Sequence, residues 1–195
     1  MNTLVGGNGN DSLTGGSNPN TIIGLGGNDS LSGGNSHDLI RGDSGNDLVA
    51  GQGGHDTLIG GSGDDRIVGH GGNDFLIGGS GRDDFFFNLG WSNSLLGVDT
   101  IVDFIPGVDD IVLNRMGSTL SSSNGEGFSI NQEFGIVNNS SAASSSSAEI
   151  VYDRSTGDLY YNPNRGTSGF GSGGQIATLV GAPDINEFDF ILARY

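Results

Sequence analysis

The sequence of 195 residues contains no cysteine and no lysine, and only four prolines and one tryptophan. Without cysteine there are neither disulfides nor thiolate metal sites, which leaves hard cations with oxygen ligands as the electrostatic remedy open to the acidic residues. Without lysine, seven arginines face 23 acidic residues and the formal net charge is −16. Such a surface cannot neutralise phosphates, which excludes a nucleic-acid partner, and anionic membrane surfaces repel it equally. Long apolar runs are missing too. No stretch reaches the roughly 18 apolar residues of a spanning helix, so membrane insertion is not expected. The opening stretch from Met1 to Leu13 has neither the basic flank nor the apolar run of a cleaved secretory signal, so export needs another route. Even the apolar total is low: 33% of residues against about 45–50% in globular chains, too little for an ordinary core.

What is abundant is glycine, with 38 residues, and aspartate, with 19 against 4 glutamates. Glycine recurs at positions 6, 15, 24, 33, 42, 51, 60, 69 and 78, a period of nine without a slip that fills Gly6 to Phe86. In the nine units the first residue is always Gly, the fourth is Gly in seven, and the sixth is Asp in eight. The eighth is always apolar: Leu13, Ile22, Leu31, Ile40, Val49, Leu58, Ile67, Leu76 and Phe85. Glycine at the first and fourth positions suits the positive φ angles of a tight turn and leaves its carbonyls uncovered. The last three residues of each unit suit a very short strand whose middle side chain points to one face. Two units make one coil of eighteen, so the turns alternate sides. Asp11, Asp29, Asp47, Asp65 and Asp83 then stack on one edge, and Asn20, Asp38, Asp56 and Asp74 on the other. Stacked strands lie about 4.7 Å apart, and carboxylates ranked so closely repel unless cations lie between them. A single such aspartate reads as a solvated turn residue. Eight at one fixed spacing argue for calcium, because magnesium keeps its waters and zinc prefers His or Cys.

The units, GGNGNDSLT, GLGGNDSLS and GHGGNDFLI among them, resemble the RTX (haemolysin-type) calcium-binding nonapeptide repeats. The resemblance implies an all-β fold, a right-handed parallel β-roll (β-helix) over residues 1–86 followed by a C-terminal β-rich capping domain over 87–195. It implies Ca2+ between successive turns, held by the side chains of Asp11, Asp29, Asp38, Asp47, Asp56, Asp65, Asp74 and Asp83. Turn carbonyls, represented by Gly42, Ser44, Gly60 and Ser62, would complete each cage. One edge offers four sites, and Asp38, Asp56 and Asp74 bracket two more, giving about six ions with six to eight oxygen ligands at about 2.3–2.6 Å. Asn20, which follows Pro19, lacks the carboxylate for a further site. Asp99 and Asp103 are read either as closing the last site or as exposed strand carboxylates, and Asp109 and Asp110 as turn residues. Asn2 to Val5 fit the last four positions of an earlier unit.

After Phe86 the period stops. Val98 to Asn114 alternates apolar and polar residues as paired strands do, with Pro106-Gly107 as their turn. Residues 138–148, NNSSAASSSSA, read as a Ser-rich loop with no capacity to pack. IVYDRSTGDLYYNPNRG reads as a hairpin bending at Ser155-Thr156-Gly157, and QIATLVGAP and NEFDFILARY as two further strands. Similar segments follow the repeats in RTX proteins, although Asn162, Asn164 and Arg165 stand where that segment often carries Asp. The resemblance implies an uncleaved C-terminal signal read by type I secretion machinery, and so a secreted, extracellular bacterial protein.

The three histidines do not support a zinc enzyme. His37 and His55 occupy the variable fifth position and His70 the variable second, which makes them exposed turn residues. Neither a zinc-protease helix motif nor a nucleophile elbow occurs, and the P-loop lysine is missing, so no catalysis is expected. The repeat half sets eleven Asp against Arg41, Arg66 and Arg82 with few apolar side chains, a composition that favours disorder without a cation. The leading reading is a secreted, monomeric, non-catalytic calcium-binding module that folds on meeting extracellular calcium. One alternative is the terminal module of a larger secreted enzyme of the protease, lipase or alginate epimerase type. Another is a calcium-dependent polysaccharide-binding module. Ice recognition would want a regular Thr or Asn ladder, which the third position lacks.

Overall fold

The computed structural model describes residues 1–89, 97–115, 134–163, 170 and 173–193; Asn164 and Arg165 lie outside them. The chain is all-β with 6% helix and forms a parallel β-solenoid of about 7 turns. Each unit supplies one short strand. They are β1 (Asn2–Val5), β2 (Ser12–Thr14), β3 (Asn20–Gly26), β4 (Ser30–Gly34), β5 (Leu39–Ser44), β6 (Leu48–Gly53), β7 (Thr57–Ser62), β8 (Arg66–Gly71), β9 (Phe75–Ser80) and β10 (Asp84–Leu89). Odd strands build one sheet and even strands the other. Pairing is parallel and joins residues one coil apart, so Ile22 meets Ile40, Leu31 meets Val49 and Leu58 meets Leu76.

That register stacks the eighth-position side chains into one column per sheet, and the two columns meet between the sheets. From Ile22 to Phe85 every one of them is at most 1% exposed. Leu4 and Leu13, in the first coil, are only partly buried against the same core. Removing a large aliphatic side chain from water contributes about 1.5–3 kcal/mol, so this slender column is the main apolar stabilisation of the repeat half.

Past Phe86 the period ends but the sheets do not. β11 (Asp99–Ile101) and β12 (Asp110–Arg115) are not paired with each other, contrary to the alternation-based expectation. β11 lies parallel on β9, with Ile101 beside Leu76, and β12 lies parallel on β10, with Ile111 beside Phe85. Their alternation reflects an inward face shared with the solenoid. Pro106-Gly107, with φ +75° at Gly107, turns the connection that carries the chain from one sheet to the other.

The remaining elements are β13 (Phe134–Val137), α1 (Ser140–Ser145), β14 (Ile150–Asp153), β15 (Asp158–Tyr161), β16 (Gly174–Leu179) and β17 (Phe190–Ala193). β16 continues the first sheet from β11 and leads through β15 and β14 to β13, while β17 covers β12 in the second. β14 and β15 form the expected antiparallel hairpin. The Ser-rich stretch departs from expectation. Asn139 caps α1 by accepting from the Ala142 N–H at 2.8 Å, and Ala143 and Ala148 are buried with Val151 and Tyr160 in a small second cluster. An N-cap and two alanines suffice to dock a short helix among serines. The last strand begins only at Phe190, because Asn186 and Asp189 close a capping box over a 3-10 turn at Glu187–Asp189. Among the described residues no helix is long and apolar enough to cross a membrane.

Candidate metal centre

The turns between strands follow one plan. The N–H of each sixth-position residue donates to the Oδ1 of the sixth-position aspartate one coil on. On one edge Asp11, Asp29, Asp47 and Asp65 donate to Asp29, Asp47, Asp65 and Asp83 at 2.7–2.9 Å. On the other Asn20, Asp38 and Asp56 donate to Asp38, Asp56 and Asp74 at 2.7–2.8 Å. One oxygen of each carboxylate is therefore fixed by the backbone, and the seven aspartates from Asp29 to Asp83 are 1–4% exposed. Asp11, in the end coil, is only half-buried, and its Oδ2 accepts from the Gly7 N–H at 2.6 Å.

The second oxygen is left over. Oδ2 of Asp29, Asp38, Asp47, Asp56, Asp65 and Asp74 is buried with no hydrogen-bond partner. Six buried anionic oxygens without a partner are costly unless a cation meets them. Each faces a gap beside a first-position glycine. A methyl group on Gly42 would collide with Asp47 Oδ2 and come within 2.6 Å of the Gly60 carbonyl oxygen, and one on Gly51 would collide with Asp56 Oδ2 and come within 2.9 Å of the Gly69 carbonyl oxygen. The first glycine is thus required for space around oxygen atoms and not, as expected, for a positive φ. Positive φ falls on the fourth position, such as Gly45 at +124°, and on the second, where Asp43 at +73° and His70 at +69° adopt it without glycine.

The family described as RTX calcium-binding nonapeptide repeat (4 copies) matches residues 1–18, 14–49 and 50–85. Residues 1–85 are RTX calcium-binding repeats. No curated protein matches the sequence. Among solved structures, the crystal structure of the extracellular lipase LipA from Serratia marcescens is similar at 16% identity and a TM-score of 0.39, over 98% of this chain and 40% of that one. The chain thus spans two fifths of that lipase's length.

The donor set in the RTX turns fits calcium. It consists of carboxylate and carbonyl oxygens only, the hard ligands that calcium takes, with none of the His or Cys that zinc prefers. Of the four representative carbonyls, those of Gly42 and Gly60 face the gaps beside Gly24 and Gly42. Those of Ser44 and Ser62 accept the N–H groups of Gly27 and Gly45 at 2.9 and 2.8 Å and keep one lone pair each.

Burial of the carboxylates without a counter-charge is visible in their acidity. Desolvation, and then repulsion from the aspartates above and below, pushes Asp56 up to about 6 and Asp65 up to about 7. Asp83 rises to about 6 by burial with the charges of Asp109 and Asp103. Asp47 and Asp74 rise as well, each chiefly by burial.

Beyond the RTX repeats both columns continue. The Asp74 N–H donates to Asp99 Oδ1 at 3.1 Å, and a methyl on Gly69 would meet both Asp74 Oδ2 and Asp99 Oδ2, the latter at 3.0 Å. Asp99 is 4% exposed and pushed up to about 8 by burial, with the Asp74 charge second, so it is not an exposed strand carboxylate. Asp103 is not in a column: its two oxygens accept the Gly78 and Gly79 N–H groups, each at 2.9 Å. The position after Asp83 falls instead to Asp109, which accepts the Asp83 N–H at 3.1 Å through Oδ1 and the Ile105 N–H at 2.8 Å through Oδ2. Reading Asp109 only as a turn residue missed this. Asp110 opens β12 and pairs with the Arg82 guanidinium, whose Nε donates at 2.8 Å. The signal for both column members is the triplet of an aspartate, any residue and an apolar residue: Asp99-Thr100-Ile101 and Asp109-Asp110-Ile111 repeat the ending of each RTX unit.

Proposed function

We propose that this chain is a secreted, non-catalytic calcium-binding module whose solenoid forms on binding extracellular calcium and whose C-terminal segment carries a type I secretion signal. The observation that carries this reading is the set of six buried, partnerless Asp Oδ2 atoms aligned in two columns against turn oxygens. Asp29, Asp47 and Asp65 on one edge and Asp38, Asp56 and Asp74 on the other would hold about six ions, with Asp99 supplying the second carboxylate for the last of these. When bound, calcium supplies the positive charge and oxygen coordination that these atoms lack. The chain's own part is to fix Oδ1 through the backbone and keep the gap open with glycine. Without the cation, stacked and desolvated carboxylates oppose a fold whose repeats each give one side chain to the apolar core. A weakly ordered chain would thread an export channel, and extracellular calcium would exceed the roughly 10⁻⁴–10⁻³ M dissociation constants usual for extracellular sites. Calcium-titrated circular dichroism tests the reading. A β-rich spectrum that appears with calcium and is lost in chelator is expected; an equally β-rich spectrum in excess chelator contradicts it.

A further inference from the structure

The outward face of the first sheet carries a strip that neither the calcium columns nor the core uses. Along β3, β5, β7, β9, β11 and β16, the residues on either side of each inward apolar side chain point outward. One column reads Thr21, Leu39, Thr57, Phe75, Thr100 and Thr178, each in register with the next. The column two residues on reads Ile23, Arg41, Ile59, Ile77, Val102 and Val180. Arg41 is the one charged residue in these two columns, and Asp43 pairs with it. Phe75 is 55% exposed and Val180 52%, while Ile23, Ile59 and Ile77 are half-buried. The hydroxyls of Thr21, Thr57 and Thr100 have no partner among the described residues; that of Thr178 donates to Asp158 Oδ1 at 2.8 Å. The corresponding face of the second sheet is charged, with Arg66, Asp84 and Asp110 in register.

We infer that this strip is a docking surface for a straight, uncharged polysaccharide of the cellulose or chitin type. Its dimensions select a slender ligand. At the strand spacing of about 4.7–4.9 Å the strip is roughly 24 Å long, and its two columns lie about 7 Å apart. It therefore offers on the order of 300 Å², against roughly 800 Å² per partner in a standard protein interface. A second copy would have to spread onto the turn edges, where two chains of net charge −16 repel. Strand addition is excluded as well, because it needs a sheet edge and this is a sheet face. A sugar ribbon matches the chemistry: its C–H faces lie on Phe75 and the isoleucines and valines, and its hydroxyls reach the unpaired threonine hydroxyls. Apolar contact with a few placed polar groups is the usual make-up of a ligand site. An anionic polymer would find no cation here except Arg41, which is already paired. Since the strip exists only in the folded solenoid, its calcium dependence rests on the calcium reading above.

The test is depletion of the full chain from solution by microcrystalline cellulose and by chitin, in saturating calcium, with carboxymethylcellulose as the anionic counterpart. Phe75→Ala removes the exposed ring and Ile59→Glu places a charge in mid-strip; both side chains point outward, and circular dichroism checks that the fold is kept. Binding to at least one of the two neutral polymers is expected, weakened about tenfold or more in each variant. Leu48→Ser, on the outer face of the second sheet, should leave it unchanged. Absence of depletion by both neutral polymers overturns the assignment, as does depletion equal in the wild type and both strip variants, or a preference for carboxymethylcellulose. Sedimentation equilibrium without polymer supplies the remaining outcome: a dimer that both strip variants abolish would give the face to a second copy and overturn the proposal. Calcium titration of the same samples reads the cages independently, so failure of one assignment is distinguishable from failure of the other.

Discussion

Asn20 Nδ2 donates to Asp38 Oδ1 at 3.0 Å, and the same amide group reaches the carbonyl oxygens of Asn18 at 2.5 Å and Gly33 at 3.3 Å. The neutral amide thus binds the Gly33 carbonyl oxygen, whose counterparts Gly42 and Gly60 face a gap, and adds a second bond to the Asp38 Oδ1 already held by the Asn20 N–H. Asn20 Nδ2 also lies 2.6 Å from where a methyl on Gly15 would stand.

Replacing that amide by a carboxylate converts the coil to the common plan. Asn20→Asp is expected to add about one calcium per chain and, in chelator, to lower stability by roughly 0.5–1.5 kcal/mol per hydrogen bond lost. Calorimetric stoichiometry and denaturant unfolding of the two proteins check this. An unchanged ion count would mean that the amide does not stand in for a cation.

A mid-column carboxylate should act in opposite directions with and without metal. Asp65→Asn removes the Oδ2 that lacks a partner and the charge that burial and Asp83 and Asp47 oppose. In calcium the variant should lose about one ion and, at 100 to 1,000 times the dissociation constant, about 3–4 kcal/mol of linked stability. In chelator it should be at least as stable as the wild type. Loss of stability in both conditions would assign Asp65 a purely structural role.

The first-position glycines should be intolerant of a side chain because oxygen atoms fill the space beside them. Gly42→Ala places a methyl on Asp47 Oδ2 and near the Gly60 carbonyl, so it should cost one site and about 1–3 kcal/mol. Gly16→Ala meets nothing within 4 Å and should be close to neutral. Unfolding midpoints in calcium compare the two.

Acid should substitute in part for calcium. Asp56, Asp65, Asp83 and Asp99 have folded-state values of about 6, 7, 6 and 8, all above the roughly 3.9 of an unfolded aspartate. Between about pH 4 and 8 the folded chain then binds more protons than the unfolded one, so metal-free stability falls as pH rises through that window. In chelator the chain should be more ordered at pH 5 than at pH 8, while the calcium concentration needed for folding should be higher at pH 5, because protons compete for the same oxygens. Dichroism at both pH values reads the two trends. Greater order at pH 8 in chelator would contradict the sign.

The periodic part of this fold could be read from the residues because its physics is periodic. Strict nine-residue spacing ties each Asp to the next through one backbone N–H, and each apolar eighth residue to one core column. Beyond Phe86 the same contacts persist at other intervals. Asp74 reaches Asp99 over 25 residues and Asp83 reaches Asp109 over 26, since the connections lengthen while the strands still stack. Period alone cannot find those partners, although the aspartate-x-apolar triplet can. Turn chemistry was only half legible: the second position, occupied by Leu25, Asp43, Gln52 and His70, bears positive φ that its residue types do not advertise. Nor did composition reveal α1, which depends on one cap at Asn139 and on the burial of Ala143.

The central claim is that the six partnerless aspartate oxygens are cation ligands. Isothermal calorimetry of the metal-free chain with calcium measures it most directly. About six ions per chain, with Asp38→Asn and Asp65→Asn each lowering the count by about one, is the predicted result. Uptake of no more than one or two ions, or a full count that neither substitution changes, would contradict it.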